Sequence, residues 1–199
     1  MANTNSPFGF KHLGFAQGGA AATFGLRRVK VAYNYGTALY AGDVVEDLGT
    51  GYVGQYGSAG SGNVIGVVRS FEYLSTSLGR KVWSTYLPTT DHANDIDALV
   101  IPIQGVPPQL FLVQAYLLPF AITHLGTKVV PTAGTGSVIG GRGKSGMTVT
   151  AGSGTTNTYP FRVVDLYSNI AAKGVNGTDD TSNYNIVVVQ SEPYEAVGI

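Results

Sequence analysis

The chain has 199 residues, with 28 glycines, 12 tyrosines and no cysteine, and its twelve Lys and Arg balance twelve Asp and Glu. That length makes one domain, or one domain carrying an arm, with room for a sizeable core. The missing cysteines exclude a disulfide framework, a thiolate metal site and a Cys nucleophile.

Only 12% of the residues are charged, too few to keep a free surface hydrated and non-adhesive, so the composition points to a protein that works against other proteins. The charge is unevenly placed: residues 1–42 hold Lys11, Arg27, Arg28 and Lys30 and no acid. Four dispersed bases fall short of the clustering that nucleic acid demands, so the expected partner of this basic stretch is an acidic protein surface and not nucleic acid. The opening Met-Ala-Asn-Thr-Asn-Ser-Pro has neither a basic n-region nor an apolar h-region, and no apolar run reaches spanning length. No membrane partner is expected, and the chain is expected to be soluble.

Residues 1–25 are nearly free of β-branched or periodic apolar positions and read as an extended N-terminal arm, followed by a single β domain over 26–199. Within the arm, Gln17-Gly18-Gly19-Ala20-Ala21-Ala22 has tether composition. Pro7-Phe8-Gly9-Phe10 offers two aromatics that either enter a partner's pocket or fold back on the chain's own core. Alternation over Arg28–Tyr33 and, more loosely, Tyr35–Tyr40 predicts strands. Val44-Val45, Tyr52-Val53 and Val64-Ile65-Gly66-Val67-Val68 follow glycine-rich turns and read as three more, the last extended by Phe71-Glu72-Tyr73. Lys81–Tyr86 gives another. Ala98–Ile103 and Leu110–Gln114 are expected to pair across Gly105-Val106-Pro107-Pro108. The best helix candidate, Gln114–Ala121, is stopped by Pro119, so little or no helix is expected. Later strands are predicted at Met147–Thr150, Pro160–Tyr167 and Tyr184–Gln190, with an exposed polar loop at about 171–183. Val44-Val45, Gly49-Thr50-Gly51 and Val53 recur as Val129-Val130, Gly134-Thr135-Gly136 and Val138, which reads as two similar hairpins.

Gly140-Gly141-Arg142-Gly143-Lys144-Ser145-Gly146 ends like a phosphate loop, but Val138 stands where the first glycine is required and the following residues alternate as a strand. A glycine-rich turn between strands is the better reading. Asp91-His92-Ala93-Asn94-Asp95-Ile96-Asp97 is the one dense group of ligand-type residues. An EF-hand would need Gly and Glu where Ile96 and Pro102 stand, so a polar turn with Asp95 or Asp97 capping backbone amides is preferred over calcium. His12, His92 and His124 fall on an arm, a turn and an apolar stretch, with no zinc-type spacing and no Gly-x-Ser-x-Gly serine to serve. Neither catalytic residues nor a cofactor or metal are expected. Tyr33, Tyr35, Tyr40, Tyr52 and Tyr56 read singly as strand residues and as a group as an interface.

Taken in order, several stretches resemble a family of tailed-bacteriophage head decoration, or cement, proteins. They are the opening Met1–Phe10, Tyr40-Ala41-Gly42-Asp43-Val44-Val45, Ile65–Val68 running into Phe71-Glu72-Tyr73, Asp95–Ile101, Leu110–Gln114 and the Gly141–Gly146 turn. The resemblance runs from residue 2 to about Glu195; Arg69-Ser70, a reduced Gln17–Phe24 and an insertion at Ala171–Asn183 depart from it. It implies a non-enzymatic virion protein on the outer capsid surface, made in the bacterial host cytoplasm, whose partners are the major capsid protein and its own copies, as a trimer or else a dimer. Together with the charge placement it nominates Pro7, Phe8, Phe10, Lys11, Arg27 and Arg28 as partner-binding residues, with the arm laid along a capsid subunit or sister copy and dispensable for folding of the body. The expected fold is an all-β barrel or sandwich with that arm. A calcium-assisted carbohydrate-binding module and a tail or neck component are the alternatives.

Overall fold

A computed structural model of the chain describes residues 3–16, 25–57, 63–104, 107–151, 159–167 and 177–192. Among them lie sixteen strands: β1 Lys11–Phe15, β2 Arg27–Val31, β3 Leu39–Tyr40, β4 Val44–Asp47, β5 Val53–Gln55, β6 Val64–Leu74, β7 Lys81–Ser84, β8 Tyr86–Leu87, β9 Ile96–Pro102, β10 Gln109–Gln114, β11 Lys128–Thr132, β12 Ser137–Ile139, β13 Arg142–Lys144, β14 Thr148–Ala151, β15 Phe161–Leu166 and β16 Ile186–Ser191. The only helical piece there is one 3-10 turn, Ile122–His124. The protein is all-β, as the alternation predicts, and its body is sandwich-like.

The first sheet runs β1-β10-β16-β15-β11-β14 and the second β2-β9-β6-β4-β5, with β7 also paired to β6. The first sheet curls until Ala115 meets Val149 in a parallel bridge, Tyr116 N–H donating to the Val149 carbonyl at 2.9 Å. Its inner face carries Phe111, Val113, Phe161, Val163, Val187 and Val189, and Val44, Val64, Val67, Ile101 and Ile103 of the second sheet pack into the same core. The opposite face of the second sheet builds its own core from Val31, Val45, Ile65, Val68, Phe71 and Val100. The uninterrupted Val64–Val68 run is thereby explained, because both faces of that half of β6 are buried. A bulge between Val68 and Ser70 ends the two-sided burial, and beyond it β6 alternates buried Phe71 and Tyr73 with half-buried Glu72 and Leu74.

Three expectations need correction. β9 and β10 do not pair: β9 lies between β2 and β6, and β10 between β1 and β16. The chain crosses between sheets there, so Ile101 and Ile103 meet Phe111 and Val113 face to face across a shared core. The repeated Gly-Thr-Gly pattern makes a hairpin only in its first copy, β4–β5. In the second copy β11 pairs with β14 and β15 while β12 pairs with β13, because the chain at Gly134 leaves the sheet to pass against the Gly146 backbone. Finally, residues 3–16 are no separate arm. They run extended, but β1 pairs with β10, and Phe10 packs against Phe111 and Phe161 inside the core. A body lacking residues 2–20 would lose an edge strand and a core aromatic, so the expectation that it folds without them is not compatible with this packing.

Candidate partner-binding surface

The N-terminal segment is fastened at three places. Asn3 is buried; its Oδ1 accepts from the N–H groups of Gly177 (2.9 Å) and Asp179 (3.2 Å), and its Nδ2 donates to the carbonyls of Asp179, Ser182 and Asn183 at 2.8, 3.3 and 3.1 Å. Residues 177–183, expected as an exposed loop, are therefore partly covered; the preceding 168–176 lie outside the described residues. Buried Gln114 accepts from Ser6 N–H at 3.0 Å and donates to the carbonyls of Thr4 (2.9 Å) and Tyr184 (3.0 Å). Gly9, at φ +73°, crosses directly over Ser145, where any Cβ would collide with the serine side chain, and Phe10 N–H donates to the Gly42 carbonyl at 2.9 Å.

Below Gly9 sits a buried polar joint. Asp43 accepts from Ser145 Oγ–H, from Tyr40 N–H at 2.9 Å and from Gln55 Nε2 at 3.4 Å. Burial pushes its carboxyl up to about 6, against the opposing pull of the Ser145, Tyr40 and Gln55 hydrogen bonds. The serine of the phosphate-loop look-alike is thus spent inside the protein. Gly143 N–H donates to Thr85 Oγ1 at 2.9 Å, and Gly140 and Gly141, at φ +57° and +76°, form the tight turn joining β12 to β13. The Gly143 N–H that a phosphate would need is thus already spent on a threonine hydroxyl.

The nominated residues are dispersed. Phe10 is buried in the core at 3% exposure, while Pro7 and Phe8 are half-buried and Lys11 is exposed. Arg27 is exposed on β2. Arg28 is already committed, 3.1 Å from Glu72 and 2.8 Å from Asp97, in a network that Lys30 and Lys81 complete. Phe8, Phe10 and Lys11 are brought together along one open groove of about 900 Å³, which Arg27 and Arg28 do not line.

The Asp91–Asp97 carboxylates point to separate partners. Asp91 accepts from Ser77 N–H and the Ser75 and Thr76 hydroxyls, at 2.9, 2.7 and 2.9 Å, and these hold it well below the usual carboxylate range. Asp95 accepts from Tyr33 N–H (3.0 Å) and the Tyr52 hydroxyl (2.8 Å), the amide-capping role expected of it. Asp97 faces Lys30 and Arg28; burial pushes it up, and their hydrogen bonds and charges more than reverse this. Among the described residues no three His, Asp or Glu side chains converge as a metal site would require. The histidines are equally scattered: His12 Nε2 lies 2.7 Å from Gln109 Oε1, His124 Nδ1 accepts from Ala121 N–H at 3.1 Å, and His92 is buried in its turn.

Sequence reasoning missed the most distinctive surface. Residues 117–125 leave the first sheet after β10 and expose four aliphatic side chains: Leu117 at 52%, Leu118 at 50%, Ile122 at 69% and Leu125 at 42%. Their backbone is nonetheless fastened. Phe120 is buried and exchanges two hydrogen bonds with the buried Asn185 side chain, N–H to Oδ1 at 3.0 Å and Nδ2–H to carbonyl at 2.8 Å. Leu117 holds φ +60°, a conformation an L-residue keeps only where its surroundings impose it. Gly126 N–H donates to the Val163 carbonyl at 2.8 Å. The signal available beforehand was the Leu-Leu-Pro-Phe run itself, which Pro119 excludes from helix and which lacks strand alternation. No family profile, curated protein or solved structure matches this chain.

Proposed function

We propose that this protein is a non-enzymatic structural component of a tailed-phage virion, a cement protein that binds the outer capsid surface and stabilises the shell by bridging capsid subunits, acting as a trimer or dimer. The observation that carries this reading is the 117–125 platform, which holds four aliphatic side chains in water on a backbone fastened by buried hydrogen bonds. Monomeric proteins seldom expose such a cluster, and a surface already ordered loses little conformational entropy when a partner covers it. The low charge of the chain and the order of its motifs point the same way. Cementing asks for no reaction, only for one modest interface repeated over a lattice, so that many weak contacts sum to a stiff shell.

The test is co-sedimentation of the purified protein with expanded phage heads that lack it. Saturation at a fixed ratio to the major capsid protein is the expected result. Protein left in the supernatant at every head concentration would sink the reading, and a copy number in virions far below that of the capsid protein would move it to the tail or neck.

A further inference from the structure

The groove that gathers Phe8, Phe10 and Lys11 has a built character that the platform lacks. Its floor is apolar, made by Phe10, Val68, Ile101, Leu112 and Ile186, and its charged lining consists of Lys11 and Arg69, with no acid. Both cations are exposed and neither has an ion-pair partner among the described residues, whereas Arg28, Lys30, Lys81 and Arg162 are all paired to carboxylates. Two irregularities set the groove's edges: the bulge of β6 between Val68 and Ser70 takes Arg69 out of the strand's alternation, and a second bulge interrupts β1 between His12 and Gly14. Bulges commonly re-aim a side chain beside a functional site.

We propose that this groove binds an extended peptide segment of a partner protein, one that sets carboxylate side chains against Lys11 and Arg69 and an apolar side chain against Leu112 and Ile186. Charge complementarity decides the sign of the partner, and the small number of cations beside an apolar floor decides its class. A nucleic-acid strand could stack on Phe8, His12 or Tyr167 of the lining but would call for a longer run of cations than Lys11 and Arg69 supply. An acidic peptide satisfies both cations while covering apolar surface. The proposal stands on the groove alone and does not depend on the capsid reading.

The experiment is a titration of isotope-labelled full-length protein, followed by amide NMR, with the capped peptide acetyl-Glu-Leu-Glu-Tyr-Glu-amide, the same peptide with Lys for Glu, and a short oligothymidylate. The expected result is saturable shifts confined to Lys11, Leu26, Arg69, Leu112, Tyr167 and Ile186 with the acidic peptide, and at least about tenfold weaker binding of the lysine peptide. The exposed double variant Lys11→Glu/Arg69→Glu should keep the dispersed spectrum of a folded protein and invert the preference between the two peptides. Equal affinity for both peptides, shifts outside the groove, an unchanged preference in the double variant, or tighter binding of oligothymidylate would each overturn the proposal.

Discussion

Residues 3–16 and residues 117–125 are fastened through neighbouring parts of the chain, Asn183 and Asn185, yet their side chains meet different fates. The first stretch sends Phe10 into the core and leaves one large aliphatic, Leu13, exposed; the second sends in Phe120 while four aliphatics remain in water. What differs is the supply of backbone partners. Residues 11–15 find a free edge on β10 and become a strand, which carries the adjoining aromatic inward. After Ala115 the sheet has closed on β14, so the chain that follows has no ladder to join and stays outside. Fastening and burial are thus separate properties, and a segment with the first but not the second presents a surface to other molecules.

The largest expected effect tests the buried half of that contrast. Phe10→Ala removes a buried ring packed against Phe111 and Phe161 and is expected to cost about 3–5 kcal/mol, read from the urea midpoint of unfolding. Half-buried Phe8, replaced by Ala, should cost under about 1.5 kcal/mol. Equal costs for the two would mean that the N-terminal segment is an arm after all.

Asn185 fastens the second stretch and comes next. Asn185→Ala leaves the Phe120 N–H and carbonyl buried without partners, an expected loss of about 1–3 kcal/mol. Hydrogen exchange separates this from a general weakening: the Phe120 amide should lose protection far more than that of Val189 in β16. Equal losses at both sites would mean that Asn185 does not fasten the platform.

A smaller effect belongs to the joint under Gly9. Burial raises the Asp43 carboxyl in the fold to about 6, above its ordinary value of 3.8, so the protonated form is the one the fold favours. Its contribution is fully present below pH 3.8 and is lost as pH rises through about 6. Lowering the pH from 7 to 5 should therefore stabilise the protein by on the order of 1 kcal/mol through this group, and Asp43→Asn should flatten that slope. A slope unchanged in the variant would assign the pH dependence elsewhere.

The strands and the all-β class were legible because alternation and glycine-rich turns are local signals: β2, β6, β9, β10, β15 and β16 lie where the pattern places them. Pairing was not, since Ile101 and Phe111 read the same whether they meet edge to edge or across a core. Phe10 was legible only as a choice, because nothing near it in sequence reveals that β10 has a free edge. The groove drew Lys11 and Phe8 from the nominated set but needed Arg69, 58 positions beyond Lys11, which only the fold brings near. The platform was hidden for a related reason. An apolar run is ordinarily core, and its exposure depends on the sheet closing just before it.

The smallest effect on folding carries the sharpest test of the exposed half. Leu118 and Ile122 stand 50% and 69% in water, so Leu118→Ser/Ile122→Ser removes little buried surface and should change the unfolding free energy by no more than about 0.5 kcal/mol. If the platform served folding, assembly and stability would move together. If it serves contact, the doubly substituted protein should keep its urea midpoint and lose at least about tenfold in affinity for heads or for its own copies, measured by co-sedimentation and by analytical ultracentrifugation. Loss of stability with assembly intact would reverse the assignment, because it would show these side chains packing on the protein itself. Loss of neither would leave the fastened backbone of 117–125 without a contact to serve, and the proposed partner contact would then have to be sought elsewhere, first in the groove lined by Lys11 and Arg69.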